Sequence, residues 1–324
     1  MGLTNFPNGI SSMGVPLPQT GNPFGNNYFV AVSGGSDSGN KGTSTDRPLA
    51  TIAKAISLGS AGDNIILGPG THSVDVSSAA LTPLADMQFI AAIPPMGGKP
   101  STIITHDADD GANLVAIDVD GFGFHGIEFL LVAGGTTALT LFDVAQTTAV
   151  NGGVFNDCWF NLNSVDAAGV TALTVDDATN ATTGVSFRNC RFVGGDATTN
   201  QAIYVSIGVG GMPDAIFEGN VFCCESADAD CLALSFADPG AAGKSYAFTF
   251  RNNDVIGPKD GGGDGTPIVF AAGMTEDEIV PMFRTNFFAG TAATPITQDK
   301  INTSIVWNYV GDDATGGTLV DPGS

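Results

Sequence analysis

The sequence predicts a right-handed parallel β-helix, an all-β coil of about three short strands per turn, entered through a short capping helix. Three observations predict it. One motif recurs at a near-constant interval, a second apolar segment follows most copies at a steady offset, and turn-forming residues fill the gaps between them.

The motif is a pair of apolar or aromatic residues five apart, with a small or amide-bearing residue between. It reads Phe124-His-Gly-Ile-Glu-Phe129, Phe155-Asn-Asp-Cys-Trp-Phe160, Phe187-Arg-Asn-Cys-Arg-Phe192, Phe217-Glu-Gly-Asn-Val-Phe222, Phe250-Arg-Asn-Asn-Asp-Val255 and Phe283-Arg-Thr-Asn-Phe-Phe288, with a degenerate copy at Ile305-Val-Trp-Asn-Tyr-Val310. The starts are separated by 31, 32, 30, 33, 33 and 22 residues. Antiparallel sandwiches rarely repeat one motif at one period. A parallel coil does so because equivalent residues of successive turns stack, about 4.8 Å apart. Phe124, Phe155, Phe187, Phe217, Phe250 and Phe283 are therefore expected to form one core stack.

Alternation inside the motif supports a corner. In Val185-Ser-Phe187-Arg the apolar residues take one face and Ser186 and Arg188 the other. After Asn189 the phase slips, turning Cys190 and Phe192 inward and Arg191 outward. The inward corner position then reads Cys158, Cys190, Asn220, Asn253, Asn286 and Asn308. Stacked amides at such a column are expected to bond to one another and to corner backbone.

The second apolar segments are Ala138–Phe142, Ala172–Val175, Ala202–Val205, Leu232–Phe236 and Pro267–Phe270, preceded by loops such as Val193–Asn200 and Gly257–Gly265. Upstream, Asp46-Arg-Pro-Leu-Ala-Thr-Ile-Ala-Lys-Ala-Ile-Ser-Leu-Gly59 begins with an N-cap-capable Asp and places Pro early. It puts Leu49, Ile52 and Ile56 on one face and stops at Gly. It predicts an amphipathic helix laid over the open end of the coil, with a first strand and turn in Asp63–Gly70. Residues 1–27 hold four Pro, five Gly and five Asn, which predicts an extended arm without a core of its own. The expected organisation is thus 1–27 arm, 28–62 entry strand and capping helix, and 63–324 β-helix.

Composition restricts the functions open to the chain. Its 324 residues contain 11 Lys and Arg against 33 Asp and Glu, a net charge of −22. Nucleic acid is excluded as a partner, because a phosphate backbone demands a cationic footprint. No basic start precedes an apolar run and no apolar stretch nears the ~20 residues of a bilayer span, so neither secretion nor a membrane is expected. Five cysteines without paired spacing, Cys158, Cys190, Cys223, Cys224 and Cys231, are expected to be reduced thiols of a protein made in a cytoplasm.

The stretch from Tyr28-Phe-Val-Ala-Val-Ser-Gly-Gly-Ser-Asp37 through Arg47-Pro-Leu-Ala-Thr-Ile52 to Gly62-Asp-Asn-Ile-Ile-Leu-Gly-Pro-Gly-Thr71 resembles the entry segment of pectate-lyase-like β-helix proteins. The resemblance implies the fold and leaves activity open, since that superfamily includes lyases, hydrolases, tailspikes and inert virion proteins. The opening Met1-Gly-Leu-Thr-Asn-Phe-Pro-Asn-Gly-Ile-Ser-Ser-Met-Gly-Val-Pro16 is similar to N-termini of tailed-phage particle proteins. It implies an arm that attaches through Leu3, Phe6, Ile10 and Val15 to a major capsid protein or a neighbouring virion subunit. It also implies a homotrimer on the outer surface of the particle.

The candidate catalytic residues read structurally. Arg188, Arg251 and Arg284 share an outward column with Asn156 and Glu218, which reads as a surface charge ladder. Asp157, Asp176, Asp177, Asp228, Asp230 and Asp254 fall mostly in loops where Asp is a normal turn residue. Asp37-Ser-Gly-Asn40 and Asp260-Gly-Gly-Gly-Asp-Gly265 lack the ligand spacing of a calcium loop, and His72, His106 and His125 are scattered. Trp159 and Trp307 read as packing groups. No catalytic, cofactor or metal site is expected, and the chain is expected not to be an enzyme but a capsid decoration or cement protein, or a head spike. The alternatives are a tailspike binding host glycans, which would carry a tip domain longer than Gly311–Ser324, and a polysaccharide lyase or hydrolase.

Overall fold

A computed structural model describes residues 22–76, 80–95, 98–106, 113–132, 140–144, 148–164, 170–175, 182–194, 203–224, 232–238, 247–256, 268–271 and 282–289. It also describes the backbone of the strands Ser11–Ser12, Val15–Pro16, Ser304–Val306, Asn308–Gly311 and Thr318–Val320. The described chain is nearly all β, wound as a right-handed parallel β-helix.

Three parallel sheets line the coil. The first holds ten strands from the entry strand Asn27–Val30 to Ser304–Val306, and the second runs from Gly70–Val74 to Asn308–Gly311. The third holds six, from Val115–Ile117 to Ile268–Phe270. Each strand pairs with the equivalent strand of the coils before and after it, so one sequence period is one turn.

Register makes the repetition physical. In the first sheet Phe124 pairs with Phe155, Phe155 with Phe187, Phe187 with Phe217, Phe217 with Phe250, and Phe250 with Phe283. All six side chains are 0–1% exposed. The rings of Phe155, Phe187 and Phe217 lie nearly parallel, 5.0 and 4.9 Å apart. A second stack runs through Phe160, Phe192 and Phe222, at 4.5 and 4.6 Å. Each buried ring contributes about 1.5–3 kcal/mol by removal from water, and its ring contacts add about 0.5–1.5 kcal/mol.

The corner between the first and second sheets explains the phase slip. Gly126, Asp157, Asn189, Gly219, Asn252 and Thr285 occupy equivalent positions, all with φ between 52° and 70°. Left-handed backbone favours Gly, Asn and Asp, which is why these types dominate the column. One residue in that conformation reverses the inward phase, so Phe187 and Cys190 both face the core.

The capping helix is shorter than the sequence suggests. It spans Ile52–Leu58 with Thr51 as N-cap, whose hydroxyl accepts from the Lys54 N–H at 3.2 Å, and it ends at Gly59. Asp46 does not cap it. Leu49 instead extends along the entry strand, bridging Val30, donating its N–H to Phe29 O at 2.8 Å and accepting from Ala31 N–H at 3.0 Å. Those two bonds hold the residues before Thr51 out of a helical turn. Ile52 and Ala55 bury the helix's apolar face. At the far end Thr318–Val320 pairs antiparallel with Asn308–Gly311 and ends the parallel progression of the second sheet.

Candidate functional site

The corner ladder is a chain of buried hydrogen bonds with a fixed pattern. Each inward corner side chain donates to the carbonyl of a core phenylalanine on the preceding turn: Asn220 Nδ2 to Phe187 O at 3.0 Å, Asn253 Nδ2 to Phe217 O at 3.0 Å, and Asn286 Nδ2 to Phe250 O at 2.8 Å. The thiols do the same, Cys158 to Phe124 O and Cys190 to Phe155 O, both at 3.3 Å. Asn220 Oδ1 accepts from the Cys190 N–H at 2.8 Å, and Asn286 Oδ1 accepts from the Asn253 N–H at 2.9 Å. Cys158 and Cys190 are free thiols, and burial, followed by the adjacent Cys158, pushes the Cys190 thiol well above its ordinary pKa. Asn308 opens its strand one position before Tyr309, which pairs with Phe287; this aligns Asn308 with Asn286, and its side chain lies outside the described residues.

The arm is only partly described. Leu3, Phe6 and Ile10 lie outside the described residues, while Val15 pairs through its backbone with Ser12 in a two-stranded sheet separate from the coil.

On the outer face of the first sheet, His125, Asn156, Arg188, Glu218, Arg251 and Arg284 stand in one register column. Arg251 pairs with Glu218 at 2.9 Å. Arg188 and Arg284 make no ion pair among the described residues. At the other end of the column His125 lies beside Gln88. The Gln88 amide nitrogen donates to Gly121 O at 2.9 Å, so its Oε1 accepts from His125 Nε2 at 3.1 Å. That leaves His125 Nδ1 as an unprotonated, buried acceptor without a partner among the described residues. Burial pulls the His125 pKa down to about 4.

The outer face of the second sheet carries a polar cluster that sequence reasoning missed. Glu128 pairs in register with Trp159, and Trp159 with Arg191. Glu128 is fully buried although its position alternates outward; Oε1 accepts from Lys99 Nζ at 3.0 Å and from Asn161 Nδ2 at 2.9 Å. Its Oε2 has no partner among the described residues. The Arg191 guanidinium lies 5.1 Å over the Trp159 ring, so this tryptophan packs on the outer face of the coil. The available signal was a carboxylate inside the motif itself, at Phe124-His-Gly-Ile-Glu128-Phe.

The remaining candidates have structural partners or fall outside the described residues. Asp37 spends both oxygens on the helix entrance, accepting from Ala50 N–H, Thr51 N–H and the Thr51 hydroxyl at 2.8, 3.2 and 2.8 Å, and Asn40 donates to Pro48 O. Asp157 is a corner residue held by the Asn156 amide at 2.7 Å, and Asp254 is exposed on the second sheet. Asp176, Asp177, Asp228, Asp230, Trp307 and the Asp260–Gly265 loop lie outside the described residues. His72 donates to Gly68 O at 2.9 Å, and burial lowers its pKa. No group of three or more metal-ligating side chains occurs among the described residues. No helix of the described residues is long and apolar enough to cross a membrane.

No family model matches the chain, and no curated protein matches it. Among solved structures, it is similar to a rhamnogalacturonan lyase at 16% identity and a TM-score of 0.50, over 83% of this chain and 75% of that one. It is also similar to a pectin methylesterase from Aspergillus niger, at 14% identity and a TM-score of 0.47 over 91% and 92% of the two chains. A third is the ORF18 protein of Geobacillus virus E2, at 13% identity and a TM-score of 0.42 over 88% and 61%. The expectation that the chain is not an enzyme is corrected by the first of these: a coil of this architecture supports a lyase, so neither the fold nor a passive-looking repeat speaks against catalysis. What the chain shares with the rhamnogalacturonan lyase is the fold alone.

Proposed function

We propose that the chain is a structural component of a tailed-virus particle: a decoration or cement protein, or a head spike, on the outer surface of the capsid. The observation that carries this reading is that the strands at the start of the chain pair outside the coil, while Asn22, Asn26 and Asn27, expected in the arm, are bound to the coil at Gly62, Asp63 and Asn64. The two short strands, Ser11–Ser12 and Val15–Pro16, pair with each other and join none of the three coil sheets. The same segment bears the resemblance to tailed-phage particle proteins. In this reading residues 1–21 engage the major capsid protein or a neighbouring subunit, and the coil projects. The coil suits such a role because its stacked strands and ladders satisfy backbone and amide groups internally. Quantitative mass spectrometry of purified particles tests it. Hundreds of copies per particle, lost when residues 1–21 are deleted, are expected; absence from particles, or incorporation without the arm, overturns it.

A second reading is favoured by the Glu128 cluster. A buried carboxylate oxygen without a partner among the described residues, in register beside Trp159, over whose ring the Arg191 guanidinium lies, suits a hydroxyl-rich ligand such as a host surface glycan, bound or cleaved on the second sheet. Glycan-array binding, or release of oligosaccharides, that disappears in Glu128→Gln supports it; unchanged binding and release in that variant removes it.

A further inference from the structure

We infer that the chain associates with further copies of itself through the two coil turns spanning 248–256 and 282–289, the first-sheet face of one copy meeting the second-sheet face of the next. From residue 94 onward, the exposed large hydrophobic side chains among the described residues are Ile256, Met282 and Phe287, 39%, 48% and 44% exposed. All three fall in these two turns. Met282 points outward on the first sheet, while Ile256 and Phe287 point outward on the second, on the other side of the Asn252–Asn253 and Thr285–Asn286 corners. The other exposed large hydrophobic side chains among the described residues, Phe24, Val32, Leu58 and Ile93, all lie at the entry end, so between residues 94 and 289 the apolar exposure is concentrated in these two turns.

Charge follows the same division. Arg251 and Arg284 are register neighbours on the first-sheet face, a like-charge pair with Glu218 as its single acidic partner among the described residues. Asp254, on the second-sheet face of the Arg251 turn, is exposed and pairs in register with Phe287. One face is therefore cationic and apolar and the other anionic and apolar, at the same height along the coil. Rotation about an axis parallel to the coil keeps heights equal. It brings Arg251 and Arg284 of one copy to Asp254 of the next, and Met282 to Ile256 and Phe287. Such a contact joins two different patches and is satisfied throughout when the rotation closes into a ring. A second copy is the fitting occupant because copies with a net charge of −22 repel unless their scarce cations lie at the contact. This contact forms in solution and does not depend on the particle reading.

Sedimentation velocity on the full purified chain tests it, with circular dichroism to verify that each variant keeps its fold. The wild type is expected to sediment as a closed oligomer whose mass is a multiple of 32.8 kDa. Phe287→Asp and Met282→Asp are each expected to raise the dissociation constant about tenfold or more. Arg284→Asp and Asp254→Arg are expected to weaken association singly and to restore it when combined in one chain. A wild type that stays monomeric across the concentration range overturns the inference. So does an oligomer that Phe287→Asp, Met282→Asp and the single charge reversals all leave unchanged while the fold persists.

Discussion

Asn253 Oδ1 accepts two hydrogen bonds from Asn220, from its backbone N–H at 2.9 Å and from its side-chain amide at 3.0 Å. Asn253 in turn hands the same two donors to Asn286 Oδ1, at 2.9 and 3.1 Å. Each rung thus satisfies the turn before it, and all three amides are fully buried. Asn253→Ala strands the Asn220 donors and the Phe217 carbonyl away from water. Each lost partner costs about 1–3 kcal/mol, so the variant is expected to lose at least about 3 kcal/mol, seen as a lower urea midpoint. Asn220→Cys is expected to lose less than Asn220→Ala, because the thiols of Cys158 and Cys190 already donate to the equivalent phenylalanine carbonyls.

Phe187 sits in the middle of the aromatic column, between Phe155 and Phe217, and is 0% exposed. Phe187→Ala removes its contacts with both neighbouring turns and leaves a cavity that rigid, register-locked strands cannot close. A loss of about 3–5 kcal/mol is expected by urea titration, with Phe187→Leu costing clearly less.

Thr285 holds a φ of 53° in a column otherwise filled by Gly, Asp and Asn. A β-branched residue is poorly suited to left-handed backbone, at a cost of about 1–2 kcal/mol. Thr285→Asn keeps a polar side chain beside Asn252 and is expected to raise stability by about 1 kcal/mol, read as a higher thermal midpoint. An unchanged or lower midpoint would show that the hydroxyl bond to Asn252 outweighs the backbone cost.

His125 couples stability to pH. Its folded pKa is about 4, below the ordinary 6.5, so between these values the unfolded chain binds the proton and the folded chain does not. Its contribution is fully present above pH 6.5 and is lost as pH falls through 6.5 towards 4. The loss approaches about 3 kcal/mol at most. His125→Gln removes the titration, so the urea midpoint of that variant is expected to fall less between pH 7 and pH 4 than that of the wild type.

The fold was legible because a coil translates sequence period directly into spatial contact. Phe155 and Phe187 are 32 residues apart in sequence and 5.0 Å apart between ring centroids, and nothing beyond the period and the alternation was needed to stack them. The helix entrance was less legible. Asp46 and Pro48 look like a helix start until the entry strand claims the backbone of Leu49, a long-range pairing that local propensity does not report. Glu128 was illegible for a related reason. Alternation places it outward correctly, but its burial depends on Lys99 from the preceding turn and Asn161 from the following one, and no local pattern carries those partners. Trp159 was read as a packing group, and its alternation with Phe160 puts that packing on the outer face, under the Arg191 guanidinium.

Lys99 and Glu128 form an asymmetric pair: the ammonium side chain is 54% exposed and the carboxylate is fully buried. Removing the lysine therefore costs more than an exposed ion pair is worth, because it leaves a buried charge supported by Asn161 alone. Lys99→Met is expected to destabilise by about 1–3 kcal/mol, discounted for the water that reaches the ammonium. Glu128→Gln removes the buried charge while keeping an oxygen for the Asn161 amide, so in the Lys99→Met background it is expected to recover much of that loss. A double-mutant cycle on urea midpoints measures the coupling, and additive effects would show that Lys99 does not compensate the carboxylate.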